Sequence, residues 1–403
     1  MISNRQLFLR YVGQTSDAPM MIEVVRAEGV YQYGPDGKRY LDLISGIGVS
    51  NVGHGAPEVV AAVQQQAANF MHSMVYGEFV LSPQVRYARR LAEYLGPGLD
   101  HIFFVNSGSE AAEGALKLSK KFTGRQELLA YRDSYHGSTH GALSVTGAPG
   151  LKDGYGPFLP GVRFLEFNSG PDLTQITEAT AAVIVEPVRG EAGVVAGYPC
   201  YLRALRERCT EVGAMLIFDE IQVGFGRTGS LFAHHAYRVR PDILLLGKAL
   251  GGGMPMGAFV ASKEMMQVLT RDPVLGHIST FGGHPVCCAA GLAAFEKLLG
   301  EDLLAAIPAK EARIRRLQEL PGVREVRGRG MIFAVEVGSF ETVLAVIHQC
   351  VEAGLITDWF LHCDTAVRIA PPLTISPEEL DEGMKCLEAC IRAVTESLAE
   401  VKH

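Results

Sequence analysis

The sequence predicts an α/β protein with a large, mostly parallel sheet covered by helices and a smaller α+β domain after it. Three observations predict this. The apolar runs "HIFFV" (101–105), "ELLAY" (127–131), "AAVIVE" (181–186), "AMLIFDE" (214–220), "DILLLG" (242–247) and "GAFVA" (257–261) are continuous rather than alternating, as strands buried on both faces are. Helical patterns at about 56–69, 84–95, 109–122, 199–212 and 285–299 flank or separate them, which is the spacing of strand–helix–strand units. The tail of the chain changes character: "IFAVEV" and "AVRIA" read as strands beside helices near 340–353 and 377–400.

At the other end, "GVYQYGPDGKRYLDL" holds two short strand patterns about a Gly/Pro/Asp turn. The expected division is an N-terminal segment, 1–50, packing with the small domain, a large domain, 51–294, and a small C-terminal domain, 295–403. The 403 residues are 48% hydrophobic and 20% charged, enough apolar residues for a sizeable core. A net charge of -7 with both signs interspersed argues against nucleic acid or an anionic membrane as partner. Apolar runs fall short of the roughly 20 residues of a spanning helix, and "MISNRQLFLRYVGQTSD" has no pattern of an export signal. The eight cysteines follow no regular framework; Cys386 and Cys390, four apart, read as reduced core residues. The expected compartment is the cytoplasm.

In open α/β sheets ligands bind beyond the carboxyl ends of the strands, so the residues just past each strand matter most. "HIFFV" runs into Asn106-Ser107-Gly108-Ser109-Glu110. Ser107 and Glu110 fit a capping box, and the free N–H groups of a helix start suit an anion such as phosphate. "AAVIV" is succeeded by Glu186, "AMLIF" by Asp219-Glu220-Ile221-Gln222, and "DILLLG" by Lys248 and then Gly251-Gly252-Gly253. A strand that drives a lysine into an apolar setting is costly unless the amine has a task. That task is nucleophilic: a neutral amine condenses with an aldehyde. An aldehyde cofactor with a phosphate and a basic ring nitrogen is pyridoxal phosphate. A fixed carboxylate, Asp219, keeps that nitrogen cationic, as an opposite charge within hydrogen-bond reach does.

Other motifs carry less. "GFGRTG", 224–229, matches G-x-G-x-x-G, but neither a clean apolar helix nor a strand ending in an acid comes after it at the right distance. A nucleotide-binding oxidoreductase is the remote alternative. His136 and His140, and the pair His234-His235, lack the surroundings of a metal motif; no metal is expected.

The stretches "NSGSEAAEGALK", "YHGST", "VEPVRGEAGV", "FDEIQVGFGRTG", "GKALGGGMPMGA", "STFGGHP" and "RIAPPLTIS" resemble class III aminotransferases. This is the pyridoxal-phosphate group that includes acetylornithine, ornithine and 4-aminobutyrate aminotransferases. The resemblance covers nearly the whole chain. It implies fold type I and ping-pong transfer of an amino group from an amine or amino acid to 2-oxoglutarate or pyruvate. It implies Lys248 as the Schiff-base lysine and proton shuttle, and Asp219 on the pyridine nitrogen. Gln222 would lie near the phenolic oxygen, Ile221 behind the ring and Tyr135 on its other face. Ser107, Gly108 and Ser109 would hold the phosphate, and Glu186 would support the Asp219–Gln222 network. Thr280 would reach the phosphate of a neighbouring subunit, which implies a homodimer. Relatives that move an amino group within one molecule, or decarboxylate, keep an aminomutase or decarboxylase open.

Arg368 stands where the family binds the substrate α-carboxylate, and Glu191 where a glutamate pairs with that arginine as a switch. The chain departs from the family at Ser138, where many relatives have arginine, at Arg189 in place of glutamine, and at His284 in place of asparagine. These departures weaken acetylornithine or 4-aminobutyrate as the specific donor and leave a diamine, an ω-amino acid or another amine open.

Overall fold

The structure is a computed structural model and describes residues 2–400. Its centre is a seven-stranded sheet. In chain order the strands are β1 (His101–Val105), β2 (Glu127–Tyr131), β3 (Val162–Leu165), β4 (Thr180–Val185), β5 (Met215–Asp219), β6 (Ile243–Leu246) and β7 (Gly257–Ala261). They lie side by side as β1-β7-β6-β5-β4-β2-β3. All residues of β4, β6 and β7 are buried, which is why these segments are continuously apolar in sequence.

The sheet is mostly parallel, as expected, with two features that the sequence reading did not specify. Strand β7 is antiparallel to both β6 and β1. Only residues 247–256 join β6 to β7, too few for the crossover that a parallel pair needs. That reversal is the glycine-rich stretch carrying Lys248. Strand β3 was not expected. It is short, it lies at the sheet edge, and its Arg163 pairs with Glu127 of β2. A charge in a short edge strand protects the edge and also hides the strand's apolar signature.

Helices Gly108–Thr123, Pro199–Val212 and Pro285–Gly300 stand close to the positions expected. A second sheet, of four strands, comes from residues 325–369. Helices Phe340–Ala353 and Pro377–Glu400 belong to the same part of the chain. Near the N-terminus, Arg26–Glu28, Tyr31–Tyr33 and Arg39–Asp42 form an antiparallel meander. Its last strand pairs in parallel with Leu355–Ile356, so the beginning of the chain is fastened to its last quarter. Among the described residues, no helix is long and apolar enough to cross a membrane, and all eight cysteines are free.

Arg227 of the "GFGRTG" stretch ties these parts together. It is fully buried. Its Nη1 donates to the carbonyls of Met331 (2.8 Å) and Pro371 (2.6 Å), and its Nη2 donates to Asn51 Oδ1. The glycines around it serve close packing: a Cβ on Gly226 would sit 2.7 Å from Leu304. The motif is therefore a turn pressed against the C-terminal part, not the opening of a nucleotide-binding helix. Arg227→Met keeps the side chain's bulk but leaves three buried acceptors unpaired, each worth about 1–3 kcal/mol. Urea denaturation should show a loss of roughly 3 kcal/mol or more; a loss under about 1 kcal/mol would contradict this reading of the bonds.

Candidate active site

The carboxyl ends of the strands open on one cavity of about 190 Å³. It is lined by Gly108 and Ser109 after β1, Tyr135, His136 and Gly137 after β2, Glu186 and Glu191 after β4, Asp219, Ile221, Gln222 and Val223 at and after β5, and Lys248 after β6. Nine of the expected site residues meet there. Ser107, Arg368 and Thr280 do not line it. Ser107 caps the helix, its Oγ accepting from the Glu110 backbone N–H at 3.2 Å. The capping box is only half made, because the Glu110 carboxylate turns to the Asn106 backbone and side chain instead. Arg368 is buried beside the cavity and held by Glu191. Thr280 is exposed, and its carbonyl bonds the His72 ring at 2.8 Å.

Lys248 takes a left-handed backbone conformation, φ 49°. Such strain in a residue other than glycine persists only where the surroundings impose it. Its side chain is half-buried and opens on the cavity. Burial pulls the amine down to about 8, with Glu191, Asp219 and Glu186 pulling up against it and Arg368 adding to the fall.

Three carboxylates surround this amine, and each is held differently. Asp219 Oδ2 lies 2.8 Å from His136 Nδ1, and its Oδ1 accepts from the Ile221 backbone N–H at 3.0 Å. Both oxygens keep a free lone pair. Glu186 accepts from the backbone N–H groups of Tyr135 and Gly190. It has no hydrogen bond to Asp219 or Gln222; it fastens the loop of Tyr135 and the turn at Gly190 around them. Burial lifts its carboxyl to about 7. Glu191 is buried too, which works to raise it, but Arg368 wins and holds it at about 2. Arg368 Nη1 and Nη2 donate to the two oxygens of Glu191 at 3.0 and 2.9 Å, and Gln222 Nε2 donates to Oε1 at 2.9 Å.

His136 is a site residue for which the sequence offered only a metal-ligand reading. Its usable signal is position: it comes just after β2, at the same sheet edge as Glu186, Asp219 and Lys248. Among the described residues no cluster of His, Cys, Asp and Glu could hold a metal ion. His234 bonds Glu220 instead, at 2.9 Å. The departures from the family pattern also find places. Ser138 Oγ lies 3.0 Å from the Tyr135 hydroxyl. Arg189 is turned away from the cavity, donating to the Arg132 carbonyl at 2.7 Å and lying over the Phe167 ring. His284 Nδ1 accepts from the Val286 N–H and caps helix Pro285–Gly300, a task that asparagine also performs.

The cavity fits pyridoxal phosphate. The helix Gly108–Thr123 points its free N–H groups into one end, where an anion is favoured. Gly137 leaves room there: a Cβ on it would lie 2.2 Å from Ser109 Oγ. Ile221 supplies an apolar face, Asp219 a fixed negative charge, and Lys248 an amine. A lysine amine of ordinary pKa 10.5 is protonated at neutral pH, whereas one at about 8 is half neutral at pH 8. In cofactor-free protein, labelling of Lys248 by trinitrobenzenesulfonate, read by peptide mapping, should therefore rise with pH through a midpoint at about 8 and then level off. A rate still climbing past roughly pH 10, the range of an unperturbed lysine, would contradict it.

Comparison with known proteins agrees with this geometry. The family model for class-III aminotransferases matches residues 12–391. The acetylornithine aminotransferase of Methanocaldococcus jannaschii is 38% identical over 397 residues, covering 94% of each chain. The solved ornithine aminotransferase from Toxoplasma gondii superposes with a TM-score of 0.90 at 31% identity, over 97% of this chain and 94% of that one. The thermostable (S)-enantioselective omega-transaminase from Thermomicrobium roseum does so with a TM-score of 0.85 at 31% identity, over 95% and 96%. A lysine, a fixed carboxylate and a helix N-terminus at one sheet edge, in a chain matched nearly from end to end, have one explanation: the chain belongs to the class III aminotransferases, pyridoxal-phosphate-dependent enzymes of fold type I that move an amino group to a keto acid.

Proposed function

We propose that the chain works as an aminotransferase for an ω-amine donor and an α-keto acid acceptor, alternating by ping-pong at this cavity. The observation that carries this is Lys248 sharing one pocket with the His136-held Asp219. Pyridoxal phosphate, when bound, supplies an aldehyde for the amine and an electron-withdrawing ring. Lys248 Nζ would be its point of attachment and, when free, the base that takes the proton from the substrate carbon. A pKa lowered to about 8 suits both tasks near neutral pH. Asp219, oriented by His136, keeps the ring nitrogen protonated. Tyr135 and Ile221 would hold the ring between them, and Gln222 has a second N–H for the phenolic oxygen. Gly108 and Ser109, which line the cavity, would receive the phosphate, and Ser107 caps the helix behind them. Glu186 holds the loops of Tyr135 and Gly190 in place.

Thr280 completes the phosphate site of a second copy, which makes the working unit a homodimer. Its exposure, with Ile278 and Phe281 exposed on the same loop, supports that reading. We further propose the division into 1–50, 51–294 and 295–403, the first packing with the last, and a cytoplasmic location.

Arg368 takes the α-carboxylate of the keto acid, 2-oxoglutarate or pyruvate; Glu191 covers it while the donor is bound. Curated relatives named for acetylornithine support an ω-amine donor. With Ser138 beside the Tyr135 hydroxyl and Arg189 turned to Phe167, no arginine from these two positions grips the donor's far end. The donor range is therefore broader than acetylornithine and includes diamines and ω-amino acids. An aminomutase would turn over without a keto acid, and a decarboxylase would release carbon dioxide. A panel of amines against both acceptors separates these: keto-acid-dependent turnover, with release of a carbonyl product, supports transfer. Glu191→Gln should cut kcat/KM of the ω-amine half-reaction about tenfold or more, because Arg368 loses the carboxylate that covers both its Nη atoms, and leave the keto-acid half-reaction unharmed. Equal losses in both half-reactions would refute the switch.

A further inference from the structure

Arg368 has not one carboxylate partner but two. Glu191 takes both Nη atoms. In addition, Asp358 Oδ1 lies 2.8 Å from Nε. This contact is ionic rather than a directed hydrogen bond, since neither atom has a partner in hydrogen-bonding direction. Asp358 is succeeded by Trp359, whose carbonyl accepts from Nη2 at 3.0 Å, and by Phe360, whose ring lies 4.3 Å from the guanidinium carbon. Backbone bonds lock the arrangement: Arg368 N–H donates to the Asp358 carbonyl at 2.8 Å, and Thr357 Oγ1 donates to the Arg368 carbonyl at 2.6 Å.

These contacts are of two kinds. Asp358, Trp359 and Phe360 belong to the strand segment beside Arg368 and leave only with the strand. Glu191 comes from the loop after β4 and touches Arg368 with its side chain only; its Oε2 also accepts from the Leu361 N–H at 3.1 Å and its carbonyl from the His362 N–H at 3.0 Å, so the backbone stays anchored when the carboxylate swings away. A keto acid that docks on Arg368 replaces Glu191. Removing the only partner of a buried charge is strongly unfavourable, because the charge left behind has lost its hydration as well. With Asp358 in place the arginine is still paired after Glu191 departs.

We propose that Asp358 is a positioning residue for the keto acid: a permanent counter-ion that stays on Arg368 when Glu191 lets go, so that the arginine exchanges Glu191 for a substrate carboxylate without becoming an unpaired buried charge. Burial lifts the Asp358 carboxyl and Arg368 pulls it back, leaving it at about 6, so the counter-ion is present at neutral pH. The proposal rests on the reading of Arg368 as the acceptor's carboxylate site.

The test uses the holoenzyme and two readouts: binding of glutarate, an unreactive dicarboxylate, by titration calorimetry, and KM in each half-reaction. Asp358→Asn keeps the shape and removes the charge. Glu191 should then close more firmly on Arg368. The glutarate Kd and the ratio of keto-acid KM to ω-amine KM should each rise about tenfold. Asp358→Glu, which keeps the charge, should restore most of the loss, and it serves as the measurable variant if the asparagine variant folds poorly. In a Glu191→Gln background Asp358→Asn should no longer change the ratio, because there is no charged pair left to open. If Asp358 merely repelled the substrate, Asp358→Asn would tighten glutarate binding, and that result overturns the proposal. If Arg368→Leu abolishes glutarate binding while Asp358→Asn leaves it unchanged, this inference alone fails. If Arg368→Leu leaves it unchanged, the reading of Arg368 fails with it.

Discussion

The fold is organised around a constraint on buried charge. An amine can stand at the end of an apolar strand only if opposite charges are near enough to keep it ionisable and fixed enough not to collapse onto it. Around Lys248 that balance is met by carboxylates that are each tied elsewhere. Asp219 is tied to His136, Glu186 to two backbone N–H groups, and Glu191 to Arg368. None forms a hydrogen bond with the lysine, so the amine is lowered by burial yet kept free for chemistry.

The sheet makes this possible. Parallel strands bring several carboxyl ends to one edge, and the antiparallel strand β7 turns the chain back at the position that holds Lys248. The short reversal forces the tight glycine-rich turn, and the turn holds the lysine in a conformation that its own backbone would not choose. Architecture and reactivity thus meet in residues 247–256. The second sheet contributes Arg368 from its strand Cys363–Ile369, so the charge that pairs with Glu191 comes from a different layer of the molecule. Arg227 binds the turn after β5 to that same part of the chain.

Much of this was legible in the sequence because it depends on local rules. Continuous apolar runs marked the strands, and the residues at their carboxyl ends included Glu186, Asp219 and Lys248. What escaped depends on pairing across the chain. Strand β3 is hidden by Arg163, whose partner Glu127 lies in another strand. The antiparallel setting of β7 depends on which neighbours it finds, although the short connection before it held the clue. His136 looked like a ligand without a metal, since nothing local says that its partner is Asp219, 83 positions away. Asp358 was invisible for the same reason. A carboxylate before two aromatic residues reads as an ordinary strand start until Arg368 is seen to be gripped by all three.

The central claim is covalent, and it is best tested directly. Cofactor-replete protein is reduced with borohydride, digested and mapped by mass. The expected result is one modified peptide, carrying the reduced cofactor on Lys248. Label on another lysine, or no label on a protein that retains the cofactor, would contradict the assignment on which the rest of the site is built.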